Sequence, residues 1–147
     1  FNTNYKVLPP LRTQDDCDAL IEGLKDGTID MLTSDHNPID IEHKKVEFDH
    51  AKYGTIGLES AYGVLNTVFT LKKSIDLLTK GKDRFGIENT SVTIGNTADL
   101  TLFNPNKSYQ FSKKDIISSS KNAIFENHEL KGKAYGIFNN NQLILNK

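Results

Sequence analysis

The stretch Gly27-Thr-Ile-Asp-Met-Leu-Thr-Ser-Asp-His-Asn-Pro38 decides how this chain is expected to fold. Ile29 to Thr33 is short and mostly apolar, which predicts a buried strand. That strand stops at Ser34-Asp-His36, and Asn37-Pro38 then requires an extended or turn geometry. In α/β barrels, active sites are built where the strands end at their carboxyl edge. Asp35 is therefore the first candidate for chemistry, although a plain polar turn explains the same residues.

The residues before this stretch predict a strand followed by a helix. Tyr5 to Leu8 is a strand candidate that ends at Pro9-Pro10, because proline cannot donate to a ladder. Thr13 has the side chain of a helix N-cap. Asp15-Asp16 would lie in the first turn, where negative charge suits the helix dipole.

The predicted helix has one apolar face and a clear end. Four residues follow helical spacing on that face: Cys17, Leu20, Ile21 and Leu24. Cys17 is accordingly expected to be a small buried hydrophobe rather than a nucleophile. Gly27 is the expected left-handed cap. Strand, helix and strand with tight links predict a βαβ unit with a parallel pair of strands.

Beyond Pro38 the pattern changes to a charged loop and then a long helix. Residues 39–53 are rich in Asp, Glu, His and Lys, and their length suggests an active-site lid or rim. Glu59 to Leu78 reads as one helix, whose expected inward residues are Leu58, Tyr62, Leu65, Phe69, Ile75 and Leu78. Thr79 to Glu88 is expected to be a loop or a broken short helix.

From Asn89 onward the composition predicts a small antiparallel sheet. The strand candidates are Ser91–Ile94, Asp99–Phe103, Tyr135–Phe138 and Gln142–Leu145. Asn139-Asn-Asn141 is a hairpin-turn signal, and Ser118 to Asn122 is expected to be a loop.

Composition excludes several classes of protein. The 147 residues are 37% hydrophobic and 25% charged, which predicts an ordered domain with a core, and the net charge of −1 offers no basic surface for nucleic acid or anionic membrane. The single cysteine excludes an internal disulfide framework and suits the cytoplasm. No apolar run is long enough to span a bilayer. The chain starts at Phe1, without an initiator Met and directly in strand-like sequence, which predicts a piece of a longer protein.

Four blocks, in order, resemble the dihydroorotase family of the amidohydrolase superfamily, in the C-terminal part of its longer bacterial type. The blocks are Lys6–Arg12, Leu20–Asp30 running into Ser34–Pro38, Glu47–Glu59, and Gly95–Phe103 with Leu130–Lys133. Each block is weak alone, but the ordered set is specific and covers nearly the whole chain.

The resemblance implies a fold. The family has a (β/α)8 barrel with a small β-sandwich domain assembled from both chain ends. Residues 1–88 would then be the last strands and helices of the barrel, and residues 89–147 the C-terminal share of the β domain. Half a barrel leaves strand edges unpaired, so the segment is expected to form a homo-oligomer or to need its missing N-terminal part.

The resemblance also implies a reaction and its residues. Asp35 would be a zinc ligand and the proton-transferring base, in the reversible opening of the cyclic amide of dihydroorotate to N-carbamoyl-aspartate in pyrimidine biosynthesis. Tyr53 and Gly54 would contribute backbone groups to the substrate site. The remaining zinc ligands of the family would precede Phe1, so the segment alone is expected to lack zinc and to be inactive, while the full-length protein is expected to be a hydrolase.

Two departures from the family pattern keep a second function open. The family usually has asparagine where this chain has Leu8, and histidine where it has Ile39. An aliphatic side chain cannot donate to a substrate carboxylate, and each such bond contributes about 1.5–3 kcal/mol. The alternative is an inactive homologue that acts as a structural partner, for example of aspartate transcarbamoylase.

The remaining polar candidates carry weaker signals. His36 could be a partner of Asp35, or a capping or packing residue. The others are interpreted as solvated or structural, with no metal-binding spacing: Arg12, His43, His50 and His128. Gly54-x-x-Gly57 lacks the strand-to-helix glycine fingerprint of nucleotide sites, and Lys44-Lys45 is too short for a nucleic-acid patch.

Overall fold

The computed structural model describes residues 1–88 and 91–146. The helices are α1 Gln14–Asp26, α2 Ala61–Val68, α3 Leu71–Thr79 and the four-residue α4 Gly81–Arg84; the strands are β1 Leu100–Gln110, β2 Glu129–Asn139 and β3 Gln142–Leu145. Single 3-10 turns lie at Thr3–Tyr5, Ile41–His43 and Lys113–Asp115. This mixture confirms the α/β class, and the predicted domain boundary at Asn89 lies outside the described residues. None of the helices in these ranges has the length and apolar character needed to cross a membrane.

Helix α1 begins and ends where the sequence predicts. The Thr13 side chain accepts from the Asp16 N–H while the Asp16 carboxylate accepts from the Thr13 N–H, a reciprocal capping box. Gly27 ends the helix in the left-handed region, with φ 92°. The predicted burial of Cys17 is wrong, since its side chain is exposed. The apolar cluster that receives α1 is reached by Leu24, two turns further along the helix.

The two predicted strands of the N-terminal half are absent from the described residues. Tyr5 ends a 3-10 turn, and residues 6–8 and 29–34 form no ladder. A strand needs N–H and C=O groups of a neighbouring strand, whereas the Leu32 N–H donates to the Leu77 carbonyl of α3 at 3.3 Å. The predicted βαβ unit is therefore wrong for this part of the chain; a parallel bridge between His36 and Thr55 is isolated.

The long helix predicted from Glu59 to Leu78 is two helices, α2 and α3. Phe69 has an extended backbone, and Thr70 begins α3 by accepting the Lys73 N–H on its side chain. Threonine favours such a cap over a helix interior, which explains the break. Leu65 is buried as predicted, but Leu58 is 65% exposed. The predicted broken helix in Thr79–Glu88 is confirmed by α4.

The predicted antiparallel sheet is confirmed, in the order β1-β2-β3. Asn140 and Asn141 have φ of 48° and 58° between paired Asn139 and Gln142, which suits a two-residue hairpin turn. The register of β1 shifts between Asn104 and Ser108, around Pro105, which lacks an N–H. The predicted strand Ser91–Ile94 is wrong, because this segment forms turns.

Residues from both halves of the chain share a core. One apolar cluster consists of Ile56, Phe111, Ile116, Ala123 and Leu130. Helix α2 packs on β2, and the buried Asn66 donates from Nδ2 to the carbonyls of Pro105 at 2.9 Å and Lys131 at 3.1 Å. Hydrogen bonds of the Asn66 amide and apolar contacts both join α2 to the sheet. Because α2 is held in this way, the segment directly before α2 is also held in place.

Replacing Gly132 with alanine is expected to destabilise this junction by about 2–4 kcal/mol, the sum of a left-handed backbone cost and overpacking. Gly132 has φ 94°, and an added Cβ would lie 2.8 Å from Asn66 Nδ2 and 2.9 Å from Tyr62 Cε1. Gly95→Ala is the matched control, because Gly95 has φ 96° and nothing within 4 Å. Denaturant unfolding of both variants measures the difference. Equal losses would contradict the close contact at Gly132.

Candidate functional site

Asp35 lies in the predicted place, at the end of the extended segment, but with an unusual backbone. Its φ is 41°, in the left-handed region, and the residue is exposed. For a residue with a Cβ this conformation costs about 1–2 kcal/mol and persists only where surrounding contacts impose it. The contacts made by the two neighbours of Asp35 therefore decide where its carboxylate points.

His36 is the most tightly held side chain next to Asp35. Its Nδ1 accepts the backbone N–H groups of Gly57 and Leu58, both at 3.2 Å, and its Nε2 lies 3.1 Å from Ser118 Oγ. Because Nδ1 accepts two hydrogen bonds, the ring proton is on Nε2 and is donated to Ser118. His36 is thus a neutral imidazole with all of its hydrogen-bonding capacity used.

Glu59 anchors Ser118 in turn. Its Oε1 accepts from Ser118 Oγ at 2.5 Å and from the Ser118 N–H at 2.8 Å. Burial works against ionisation of Glu59, but the Ser118 hydrogen bonds are the largest of several interactions that together outweigh it, and the pKa of Glu59 lies below its ordinary value. Glu59 Oε2 is buried without a hydrogen-bond partner and lies 3.8 Å from His36 Nδ1. Both are acceptors in this tautomer, so that approach is not an ion pair.

Gly57 supports the residue on the other side of Asp35. A Cβ added to Gly57 would lie 2.7 Å from the Ser34 carbonyl oxygen, so only glycine allows the two backbones to approach this closely. The same residue donates its N–H to His36. Ser34 and His36, the two neighbours of Asp35, therefore both rest on the turn that begins at Gly57.

Asn122 joins two separate backbone segments of the site. Its Nδ2 donates to the carbonyls of Asn37 at 3.0 Å and Gly54 at 3.3 Å, and its Oδ1 accepts the Ile39 N–H at 3.1 Å. The side chain is buried, so these bonds form away from water. Asn122 consequently fixes the turn after Asp35 to the segment that contains Gly54.

Tyr53 and Gly54, the predicted substrate-site residues, lie beside this network. Gly54 is buried with φ 138°, and an added Cβ would meet Asn37 Nδ2 at 2.9 Å and Ile39 Cγ1 at 3.1 Å. Its N–H donates to the Lys6 carbonyl at 3.0 Å. Tyr53 is half exposed, and Lys6 Nζ lies 4.9 Å from the centre of its ring. The Tyr53-Gly54 backbone thus adjoins the Asp35 turn, as a substrate contact would require.

Two buried lysines hold the charged loop at residues 39–53 against the N-terminus. Lys6 Nζ donates to the carbonyls of Phe48 and Asp49, both at 2.8 Å, and Lys44 Nζ donates to the carbonyl of Thr3 at 3.0 Å. Burial, with a smaller contribution from the Lys6 charge, lowers the pKa of Lys44. Lys44 is therefore an internal brace rather than part of a surface for nucleic acid.

The other polar candidates lie apart from Asp35. Arg12 Nε lies 3.5 Å from Asp16 on the surface of α1, and His50 is an exposed neighbour of Glu47. His43 lies in the 3-10 turn of the loop, and the His128 ring packs edge-on against Phe125.

The described residues do not by themselves fit a zinc ion. In the ranges 1–88 and 91–146, no three or more His, Cys, Asp or Glu side chains are grouped so as to hold a metal. A catalytic zinc needs about three protein ligands, and Asp35 can supply one. Any metal site that uses Asp35 would need ligands from outside this part of the chain.

Three residues of the hydrogen-bonded network beside Asp35, namely Glu59, Ser118 and Asn122, are not predicted by the sequence. Ser118 and Asn122 stand in a polar segment interpreted only as a loop, and Glu59 was taken as the first residue of a helix. One signal was available, since a carboxylate directly before the apolar face of α2 has to find a partner when that face is buried. Nothing local indicated that Asn122 would be buried.

The fold matches about a third of the chain of solved hydantoinase structures. The chain superposes on a D-hydantoinase with a TM-score of 0.83 at 20% identity, covering 99% of this chain and 34% of that one. It superposes on the D-hydantoinase (dihydropyrimidinase) of a Thermus species with a TM-score of 0.80 at 23% identity, covering 98% of this chain and 34% of the other. At these identities the likeness shows the fold alone.

Sequence relatives give the family. The chain is 42% identical over 139 residues to the dihydroorotase of Caldanaerobacter subterraneus subsp. tengcongensis, covering 90% of this chain and 32% of that protein. It is 41% identical over 132 residues to the dihydroorotase of Bacillus subtilis, covering 85% of this chain and 31% of the relative. No protein-family model matches. The chain is a segment of a dihydroorotase-related amidohydrolase, and it spans about a third of the length of the curated relatives it matches.

Proposed function

We propose that the complete protein is a cytoplasmic, zinc-dependent dihydroorotase that interconverts dihydroorotate and N-carbamoyl-aspartate in pyrimidine biosynthesis. The observation that carries this proposal is the identity of 42% to a protein named dihydroorotase over 90% of the chain. On this proposal, residues 1–88 end a (β/α)8 barrel and the remaining residues belong to a small β domain. The segments at residues 6–8 and 29–34 would then be the last two barrel strands, which pair only when the other strands are present.

Asp35 carries the chemistry in this proposal. Hydrolysis breaks the ring amide C–N bond, adds the water oxygen to the carbonyl carbon and delivers a proton to the departing nitrogen. An exposed carboxylate at the mouth of a barrel can take the proton from the water and return it to that nitrogen. Zinc, held by Asp35 together with ligands outside this segment, would supply a water of lowered pKa.

Tyr53 and Gly54 are proposed to contact the substrate through their backbone. Asn37 and Ile39 fill the space that a Cβ of Gly54 would occupy, so a substrate would have to reach the Tyr53-Gly54 backbone from the exposed Tyr53 side. The buried Asn122, which bonds both Gly54 and Asn37, supports a fixed spacing between this backbone and the Asp35 turn.

A second function is favoured by two aliphatic residues. The family resemblance implies asparagine at the position of Leu8 and histidine at the position of Ile39. Leu8 is 66% exposed, and Ile39 Cγ1 would lie 3.1 Å from a Cβ added to Gly54. Neither side chain can bind a carboxylate. The protein would then be an inactive homologue that acts as an assembly partner, for example of aspartate transcarbamoylase.

Ile39→His separates the two functions in the complete, zinc-loaded protein. If the protein is an enzyme, the new imidazole donor is expected to lower KM for N-carbamoyl-aspartate by about 10-fold or more, from the 1.5–3 kcal/mol of a charged hydrogen bond. Ile39→Leu is the control and should leave KM unchanged. Wild-type and Ile39→His proteins that both bind zinc but show no turnover would favour the assembly partner and overturn the proposed enzyme.

A further inference from the structure

The strained backbone of Asp35 needs an external cause, and the described contacts supply one. His36 is hydrogen-bonded to the turn at Gly57-Leu58, and the Ser34 backbone lies so close to Gly57 that no Cβ would fit between them. Asp35 itself, with φ 41°, is exposed between them. A residue between one hydrogen-bonded neighbour and one closely packed neighbour has little freedom in its own φ and ψ.

The His36 ring is the stronger of these two attachments. It is mostly buried, with 20% of the side chain exposed, and three hydrogen bonds fix its position and rotation. The Ser118 proton points to the Glu59 carboxylate, so the Ser118 lone pair faces the His36 Nε2–H. The donor and the acceptor of each hydrogen bond between His36, Ser118 and Glu59 are therefore determined.

The chain of bonds also crosses the molecule. His36 follows the extended segment, Glu59 precedes α2, and Ser118 lies in the loop between β1 and β2, 82 residues after His36. This loop belongs to the share of the chain that the barrel interpretation assigns to the β domain. The β domain would thus have a direct mechanical link to the position of Asp35.

We propose that His36, held by Ser118 and Glu59, is a positioning residue that imposes the left-handed backbone of Asp35 and so aims its carboxylate. Its catalytic meaning rests on the proposed function, but the conformational part does not. The link acts through bond geometry and neutral imidazole, with no proton transfer to substrate.

The conformational part is tested without any activity. Asp35→Gly removes the Cβ that makes a positive φ costly, so it should raise the thermal unfolding midpoint by a few degrees in the otherwise wild-type complete protein after chelation, where the loss of a zinc ligand has no effect. In a His36→Ala background the segment can relax, and the same change should give no gain. An equal gain in both backgrounds would overturn the proposal.

The catalytic part is tested with three variants of the complete, zinc-loaded protein. His36→Ala is expected to lower kcat by about 10–100-fold, the usual effect of losing a supporting contact, with KM changed much less. His36→Asn places an oxygen near the Nδ1 position and should recover part of kcat. The single variant Ser118→Ala should also lower kcat. His50→Ala is the control, since His50 is exposed in the charged loop.

The outcomes separate the two proposals. A wild-type protein without turnover overturns the proposed function, and the unfolding midpoints still decide whether His36 imposes the Asp35 backbone. An active wild type with unchanged kcat in His36→Ala overturns the positioning role. Equal losses of kcat in His36→Ala and His36→Asn would also count against it, because the Nδ1 contact would then have no effect.

Discussion

Replacement of Asp35 by asparagine in the complete protein is expected to lower kcat by about 10²–10⁴-fold, the range over which a general base contributes. Asparagine has nearly the same shape as aspartate but cannot take a proton, and its amide is a poorer ligand for zinc. Because Asp35 is exposed, the folded structure has little to lose from the change. Initial rates in both directions of the reaction measure the effect.

The control for this prediction is Asp15→Asn, on the surface of α1. It removes the same charge far along the chain from the site and should leave kcat unchanged. After chelation, the circular dichroism and the unfolding midpoint of Asp35→Asn should match those of the wild type. Full residual turnover in Asp35→Asn would reject the assignment of Asp35.

Replacement of Asn122 by aspartate is expected to have the largest effect on stability. The carbonyls of Asn37 and Gly54 would lose the Nδ2 donor and face a carboxylate instead. A buried acceptor without a donor costs about 1–3 kcal/mol, so two of them predict a loss of about 2–6 kcal/mol. Denaturant unfolding at neutral pH measures this loss.

The pH dependence gives this prediction a second readout. A buried carboxylate beside two carbonyls has a raised pKa, and once protonated it can donate to one of them. The stability difference between Asn122→Asp and wild type should therefore shrink as the pH falls. Asn106→Asp, on the exposed part of β1, is the control. Equal stabilities of the two variants would contradict the bridging role of Asn122.

The features that the sequence predicted well depend on neighbouring residues. The start of α1 follows from Thr13 and Asp16, which cap each other three residues apart. Its end follows from the freedom of Gly27, and the β2–β3 turn from asparagines that tolerate positive φ. Each of these signals depends on residues within one turn of each other, so it predicts the local structure without knowledge of distant contacts.

The features that the sequence missed depend on distant partners. Residues 29–33 have strand composition, but a ladder needs a neighbouring strand, and here the segment bonds to helices. Cys17 has a helical apolar spacing, yet burial depends on what α1 meets. Intrinsic patterns give a preference that tertiary contacts then accept or override.

The candidate site shows the same division. Asp35 is a candidate because it directly follows an apolar segment, whereas the sequence leaves His36 open between a partner of Asp35 and a capping or packing residue. Glu59, Ser118 and Asn122 lie 24, 83 and 87 residues beyond Asp35 in the chain. Polar residues in loops carry no periodic signal, so only the folded structure brings them together.

The most direct test of the account is the interconversion of dihydroorotate and N-carbamoyl-aspartate by the complete protein after chelation and after zinc is restored. We expect no turnover in chelator, recovery with zinc in the wild type, and little recovery with zinc in Asp35→Asn. A zinc-loaded wild type that converts neither compound, or an Asp35→Asn variant that recovers fully, would contradict it.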